Sequence, residues 1–212
     1  MEKPVLIFGA KGLAKAALEI FNSNQIIVYG FLDDDEETHN KEINDVPVLG
    51  STDNASFLEL IGKKCEAFIA TDDNNLRKDL VEHLNDAKKV MPINAIHQTA
   101  IVSDSMRMSH GNFINAGVIL ANDSTIGQHT LINSGVIIEQ EVEVSDFVQI
   151  GSGSIVNSKV KIEEGAFIGS GVTIVSGVTI GKNARIGAGS VVVGDVPANQ
   201  TVFGNPAVEV SK

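Results

Sequence analysis

The chain has 212 residues, enough for one large domain or two small ones, and at 43% hydrophobic it can bury a core. With no Trp, one Tyr and 20 Gly, that core must be aliphatic and the backbone must turn often. A formal net charge of −11 argues against nucleic acid or an anionic membrane as partner, because both need a basic face; anionic small ligands remain open to backbone N–H groups and local Lys or Arg.

The apolar run near the start, Val5 to Phe8, is too short for a signal peptide or a membrane span. Cys65 is the sole cysteine, so no intrachain disulfide is possible and a reducing compartment fits. The expectation is a cytoplasmic protein with no membrane insertion.

Residues 1–92 alternate apolar runs with amphipathic stretches. "VLIF" (5–8) reads as a short buried strand. Ala14, Ala17, Leu18 and Phe21 follow at the i, i+3, i+4, i+7 spacing of a helix. "IIVYGFL" (26–32) reads as a second strand, ending in "DDD". Asn54 is a candidate cap for a helix carrying Phe57, Leu58 and Ile61. "AFIA" (67–70) reads as a third strand. Asp72 or Asp73 then starts a helix with Leu76, Leu80 and Leu84 on one face. Strand–helix alternation of this kind predicts a small parallel sheet with helices around it, a Rossmann-like α/β domain.

Across 93–212 the period changes to six. Every sixth position from Ile96 to Val192 is aliphatic, seventeen in succession. At this composition a fixed register would do that by chance on the order of once in a million. Small or β-branched residues recur four positions later, and Gly often follows directly, as at Gly127, Gly151, Gly169, Gly181 and Gly187. Such hexads predict a parallel β-helix whose aliphatic residues stack inward, coil on coil. No long loop interrupts the repeat.

These hexads resemble the left-handed β-helix of hexapeptide-repeat acyltransferases, and "IGAGSVVVGDVPANQTVFGNPA" (186–207) resembles that group's exit from the helix. Together with "VLIFGAKGLAKAALEI" (5–20) and "GFLDDD" (30–35), nearly the whole chain is similar to one branch. It is the sialic acid O-acetyltransferase-like branch, which includes N-acetyltransferases of nucleotide-linked amino sugars of the bacillosamine and perosamine type. The resemblance implies a homotrimer, acetyl-CoA as co-substrate between neighbouring β-helices, and a nucleotide-linked amino sugar held by the N-terminal domain. It also implies acetyl transfer to the sugar amine, with a histidine beside an acidic residue taking the proton.

Residue by residue, that chemistry is incomplete. The family pattern around its base reads approximately I-N-x-G-x-x-x-D-H-D, and this chain has "INSGVIIEQE" (132–141). Asn133 and Gly135 match, and Glu139 and Glu141 keep the acidic flanks. Gln140 stands at the histidine, and an amide has no usable basicity near neutral pH. Gln149 replaces a second family histidine. In the glycine loop, G-A-G-G-H in the family, "GAKGL" puts Lys11 at a glycine and Leu13 at a third histidine.

Three readings of the catalytic turn stay open. Glu141, or second Glu139, serves as surrogate base; orientation of a neutral amine carries the reaction; or the site binds without turnover. The acidic run is otherwise a solvated turn edge. Asn133 would position acceptor or thioester, and Gln140 and Gln149 would be polar binding residues. The resemblance implies that the loop Gly9, Ala10, Lys11, Gly12 and Leu13 approaches the nucleotide diphosphate at a helix N-terminus, and that Asp33 and Asp34 contact its base and ribose. For CoA, the resemblance implies Gly171, Ala188 and Gly189 against pantetheine, with Lys182 or Arg185 at the phosphates. None of the five histidines sits at convincing ligand spacing with Cys or carboxylate, so no metal is expected. An O-acetyltransferase is disfavoured, since a hydroxyl needs base assistance more than an amine does.

Overall fold

The computed structural model describes residues 3–210. The chain divides into two compact units, one running to Gln98 and the other starting at Thr99. That boundary falls a few residues later than the change of period at 93, because the first strand of the hexad series, Ala95–Ile96, still groups with the N-terminal unit. Among the described residues no helix is long and apolar enough to cross a membrane.

The first unit is a five-stranded sheet with flanking helices. Strand β1 (Val5–Phe8) is buried at every residue, as a parallel strand covered on both faces must be. Helix α1 (Gly12–Ser23) buries Ala14, Ala17, Leu18, Ile20 and Phe21. Strand β2 (Val28–Leu32) begins two residues later than the apolar run suggests. Gln25 turns the chain at φ 61° and leaves Ile27 exposed.

An edge hairpin that the apolar pattern did not predict follows. Strands β3 (Glu42–Ile43) and β4 (Val46–Gly50) pair antiparallel around Asn44 and Asp45, both left-handed, a conformation these residue types tolerate. Helix α2 (Ala55–Leu58) starts where Asn54 Oδ1 accepts the Ser56 N–H at 3.1 Å. Strand β5 (Glu66–Ile69) leads to helix α3 (Asn74–Lys88), capped by Asp73, whose Oδ1 accepts the Asn75 and Leu76 N–H groups at 2.8 and 3.1 Å. Leu80 and Leu84 join Leu6, Phe8 and Ile69 in one core cluster. Fully burying such a side chain contributes about 1.5–3 kcal/mol. Leu76 leaves the stripe and stays 44% exposed.

The strand order is β3-β4-β2-β1-β5. From β1 the chain steps outward through β2 to β4, then returns to place β5 on the other side of β1. The order reverses there, and a crevice opens beyond the carboxyl ends of the strands.

The second unit is a β-helix. Each coil takes 18 residues and three two-residue strands, each pairing in parallel with the equivalent strand one coil on, as in Ile119↔Ile137↔Ile155. The hexad aliphatics end each strand, and from Ile114 to Val192 every one is buried. Three faces differ in their outward rows. The first carries Ile101, Ile119, Ile137, Ile155, Thr173 and Val191; the second, Arg107, Thr125, Glu143, Lys161 and Thr179; the third, Phe113, Leu131, Gln149, Phe167 and Arg185.

From Gly111 to Gly189 each corner has one left-handed residue per coil, also stacked. At the corner between the third and first faces these are Gly117, Gly135, Gly153, Gly171 and Gly189, each near φ 70°. Between the first and second faces they are Asp123, Glu141, Lys159 and Gly177. At the last corner, the buried ring of His129 stacks on Phe147 at 5.2 Å and meets His110 edge-on at 5.3 Å.

Candidate functional site

Two parts of the molecule carry the predicted site residues, one in each unit. In the first unit, a cavity of about 290 Å³ opens at the carboxyl ends of the strands. Its lining includes Gly9, Ala10, Lys11, Gly12, Leu13, Asp33 and Asp34, all seven residues expected there for the acceptor. The turn from β1 into α1 forms its floor. Gly9 takes φ 108°, and a Cβ at this position would stand 2.7 Å from the Ala70 carbonyl oxygen, so only glycine fits. At the start of α1 the N–H groups of Lys11, Gly12 and Leu13 have no acceptor among the described residues. Unpaired N–H groups at a helix N-terminus suit an anion.

The acidic segment after β2 is organised by internal bonds. The Ala10 N–H donates to Asp33 Oδ2 at 2.6 Å, and the Asp35 N–H to Asp33 Oδ1 at 2.9 Å. Asp34 accepts the Thr52 N–H and hydroxyl, both at 2.8 Å. Asp35 meets Lys11 Nζ at 3.2 Å, and this ammonium, with the Glu37 N–H, holds the Asp35 carboxyl below its ordinary value.

The cavity also takes in residues that the sequence did not assign to a site: Asp35, Thr52, Ala70, Thr71, Asp72, Leu76 and Leu80. Thr71 and Asp72 directly follow the third strand, so the rule that ligands bind beyond carboxyl ends of strands would have found them. Thr52 carries no local signal. Behind this wall, Arg77 is fully buried and donates to the Thr71 carbonyl at 2.7 Å and to Asn74 Oδ1. Burial pushes its guanidinium down to about 10, against the opposing charges of Asp72 and Asp73, and it stays cationic at neutral pH.

In the second unit, Glu139, Gln140 and Glu141 form one turn between the first and second faces. Glu141 is its left-handed residue, exposed, with Oε2 3.8 Å from Lys159 Nζ one coil on. Glu143 pairs with Lys161 at 3.2 Å in the same way. Exposed pairs of this kind contribute about 0–1 kcal/mol each. Gln140 is exposed. Glu139 is half-buried and has no ion pair among the described residues.

Asn133 sits at the preceding corner, where its Nδ2 donates to the Ile150 carbonyl at 3.0 Å; Asn157 makes the same bond to Ile174 at 2.7 Å. The Asn133 amide therefore braces the coil. Gln149 lies on the third face between Leu131 and Phe167, away from the Glu139–Glu141 turn.

The residues expected around CoA split into two groups. Gly171, Ala188 and Gly189 stack at the glycine corner, and the Gly189 N–H reaches the Ser170 carbonyl at 2.8 Å. Lys182 sits at the corner between the second and third faces, and Arg185 begins the third-face strand that runs on to the glycine corner. The Lys182 ammonium donates to Glu164 Oε2 at 2.8 Å, which raises its basicity, and Arg185 lies 4.4 Å above the Phe167 ring. Both cations are thus engaged within the coil, and not gathered with the glycines.

Two family descriptions match the chain. "PglD N-terminal domain" covers residues 4–84, and "bacterial transferase hexapeptide (six repeats)" covers residues 159–194. No curated protein sequence matches. Among solved structures, the chain is similar to perosamine N-acetyltransferase from Caulobacter crescentus, determined as a histidine-to-asparagine variant with CoA and GDP-perosamine. The two share 31% identity over 99% of this chain and 97% of that one, with a TM-score of 0.91. The chain belongs to the left-handed β-helix N-acetyltransferase family.

Two further solved structures are similar along nearly the whole chain. The acetyltransferase domain of PglB from Neisseria gonorrhoeae shares 25% identity, with 99% of this chain and all of that domain covered and a TM-score of 0.89. WeeI from Acinetobacter baumannii, at 23% identity over 98% of this chain and 99% of that one, shares the fold with a TM-score of 0.84.

Proposed function

We propose that the protein transfers an acetyl group from acetyl-CoA to the amine of a nucleotide-linked amino sugar. The observation that carries this reading is the full-length similarity to a sugar N-acetyltransferase that binds CoA and GDP-perosamine. The acceptor cavity in the N-terminal unit supports it. There the Lys11, Gly12 and Leu13 N–H groups and the Lys11 ammonium face the diphosphate, and Leu76 and Leu80 offer apolar surface to the nucleoside. A free, buried Cys65 suits the cytoplasm, where acetyl-CoA is supplied.

In the reaction, the amine lone pair attacks the thioester carbonyl carbon, the C–S bond breaks, and the nitrogen loses a proton. With Gln140 in place of the family histidine, the proton goes to a carboxylate of the turn or to water. Glu139 is placed first of the pair, because it is half-buried with no ion pair among the described residues, whereas Glu141 is exposed beside Lys159. General-base help is worth about 10²–10⁴-fold, and orientation of a neutral amine supplies the larger share. Gln140 and Gln149 serve as hydrogen-bonding residues. Pantetheine follows the open glycine corner at Gly171, Ala188 and Gly189. Lys182 reaches the CoA phosphates only by exchanging Glu164 for them.

The working unit is a homotrimer. The row Ile101, Ile119, Ile137 and Ile155 leaves aliphatic side chains outward on the face that leads into the Glu139–Glu141 turn, with Ile101 64% and Ile155 37% exposed. Covering it with a second copy would remove that apolar surface from water and bury the candidate turn between subunits.

A second reading is a trimer that binds the nucleotide sugar without turning it over, favoured by Gln140 and by the Glu141–Lys159 pair. Thiol release from acetyl-CoA with a panel of nucleotide-linked amino and hydroxy sugars separates the two. Turnover with an amine acceptor supports the proposal, and binding of acceptor and CoA without turnover supports the second reading.

A further inference from the structure

Resting on the nucleotide-sugar reading, we infer that Asp33 is a positioning residue: its carboxylate fixes the Gly9–Leu13 turn so that three N–H groups face the diphosphate. This goes beyond the contact role implied by the resemblance. Asp33 stands at the end of β2, beside the end of β1, where the Gly9 N–H still reaches the Leu32 carbonyl at 2.7 Å. One residue further, the chains diverge and no backbone carbonyl replaces that partner. Asp33 Oδ2 takes over, accepting the Ala10 N–H at 2.6 Å, a short charge-assisted bond.

The other carboxylate oxygen is also committed. Oδ1 accepts the Asp35 N–H at 2.9 Å, closing the acidic segment on itself, while the Asp33 carbonyl accepts His39 Nε2–H at 2.7 Å. Asp33 thus ties two loops together through both carboxylate oxygens and its main chain. Ala10, only 7% exposed, spends its N–H inside the protein. With Ala10 tethered there, the next three N–H groups, of Lys11, Gly12 and Leu13, stay unpaired at the cavity floor.

Chemistry explains why the residue is an aspartate. A carboxylate accepts on both oxygens, whereas an asparagine has one acceptor oxygen and an NH₂ that would oppose an N–H of the turn. A carboxylate pointed at a diphosphate would repel it; one covered by two N–H donors does so less. Asp34 plays a separate part, since both its oxygens go to Thr52.

The test compares Asp33→Asn with the wild-type full chain, reading inorganic pyrophosphate binding by calorimetry beside KM for the nucleotide sugar. Losing a charge-assisted bond should weaken both by a similar factor, roughly tenfold or more, with kcat and KM for acetyl-CoA nearly unchanged. Asp53→Asn, outside the cavity lining, should leave pyrophosphate binding intact. Unchanged pyrophosphate affinity with weakened nucleotide-sugar binding would mean that Asp33 touches the nucleoside, and overturns the inference. So does a wild-type protein that binds nucleotide sugar but not pyrophosphate, or an Asp33→Asn chain that binds both normally. If Asp33→Asn does not fold, Asp33→Glu, which keeps both oxygens one methylene further out, must show the same paired loss. Pyrophosphate binding that depends on Asp33, without turnover of any amino sugar, leaves this inference standing and removes the acetyl-transfer reading.

Discussion

Gly9→Ala perturbs the acceptor cavity at its tightest point. The new methyl would lie 2.7 Å from the Ala70 carbonyl oxygen, inside the closest approach side chains make, and φ 108° is a backbone region that alanine avoids. Holding a non-glycine residue there costs about 1–3 kcal/mol. Part of that appears as lost stability. The rest appears as a turn pushed a few tenths of an ångström off Ala70, which draws the Ala10 N–H from its 2.6 Å bond with Asp33. Each 1.4 kcal/mol that reaches binding is about tenfold. The expected result is a KM for the nucleotide sugar raised ~10-fold or more, with KM for acetyl-CoA unchanged, and a lower midpoint in denaturant unfolding. Gly12→Ala is the control in the same turn, because its Cβ would meet nothing within 4 Å. It should be as stable as wild type or up to about 1 kcal/mol more so. A Gly9→Ala chain with wild-type KM and stability would refute the close-approach account of this loop.

At the catalytic turn, Glu139→Gln should slow acetyl transfer by about 10²-fold or more if Glu139 takes the proton, and Glu141→Gln by less; steady-state rates for both variants decide, and equal, wild-type rates would leave positioning as the whole mechanism. Replacing Ile137 with Asp alters an outward residue of the β-helix, so the chain should fold yet lose the proposed trimer and with it the proposed activity; light scattering that finds the same mass as wild type would exclude this face as the contact. The buried Cys65 thiol is pushed up from its usual 9.0, chiefly by burial and then by the Glu66 charge. Alkylation of the native protein near pH 8 should therefore be slow and become fast only in denaturant, and rapid native labelling would contradict that burial.

The β-helix was legible because each hexad must solve the same problem. One aliphatic side chain points inward per face, so a single register of six carries through from Ile96 to Val192. The same register held more than was taken from it. Three hexads make one coil, so Lys159 had to stand above Glu141, and Lys161 above Glu143. The acidic run looked bare only when read along the chain. The edge hairpin escaped because its strands are short and mostly polar, although Asn44-Asp45 was a turn signal. In the acceptor cavity, Gly9–Leu13 and the aspartates could be placed from the loop pattern. Their roles could not, because the partners of Asp33 and Asp34 come from Ala10 and Thr52, which are remote in the chain and carry no pattern of their own. Arg77 falls on the buried face, three and seven residues before Leu80 and Leu84, so the helical spacing marks its burial although its charge does not. It is buried because the β5–α3 turn needs its hydrogen bonds.

The protein is proposed to transfer acetyl groups with Gln140 at the position where the family resemblance implies a histidine. Release of free thiol from acetyl-CoA, followed with a panel of nucleotide-linked amino sugars, tests it most directly. The account predicts turnover above the uncatalysed rate with at least one amine acceptor, dependent on Glu139 or on acceptor positioning. Tight binding of acceptor and CoA with no thiol released from any of them would contradict it.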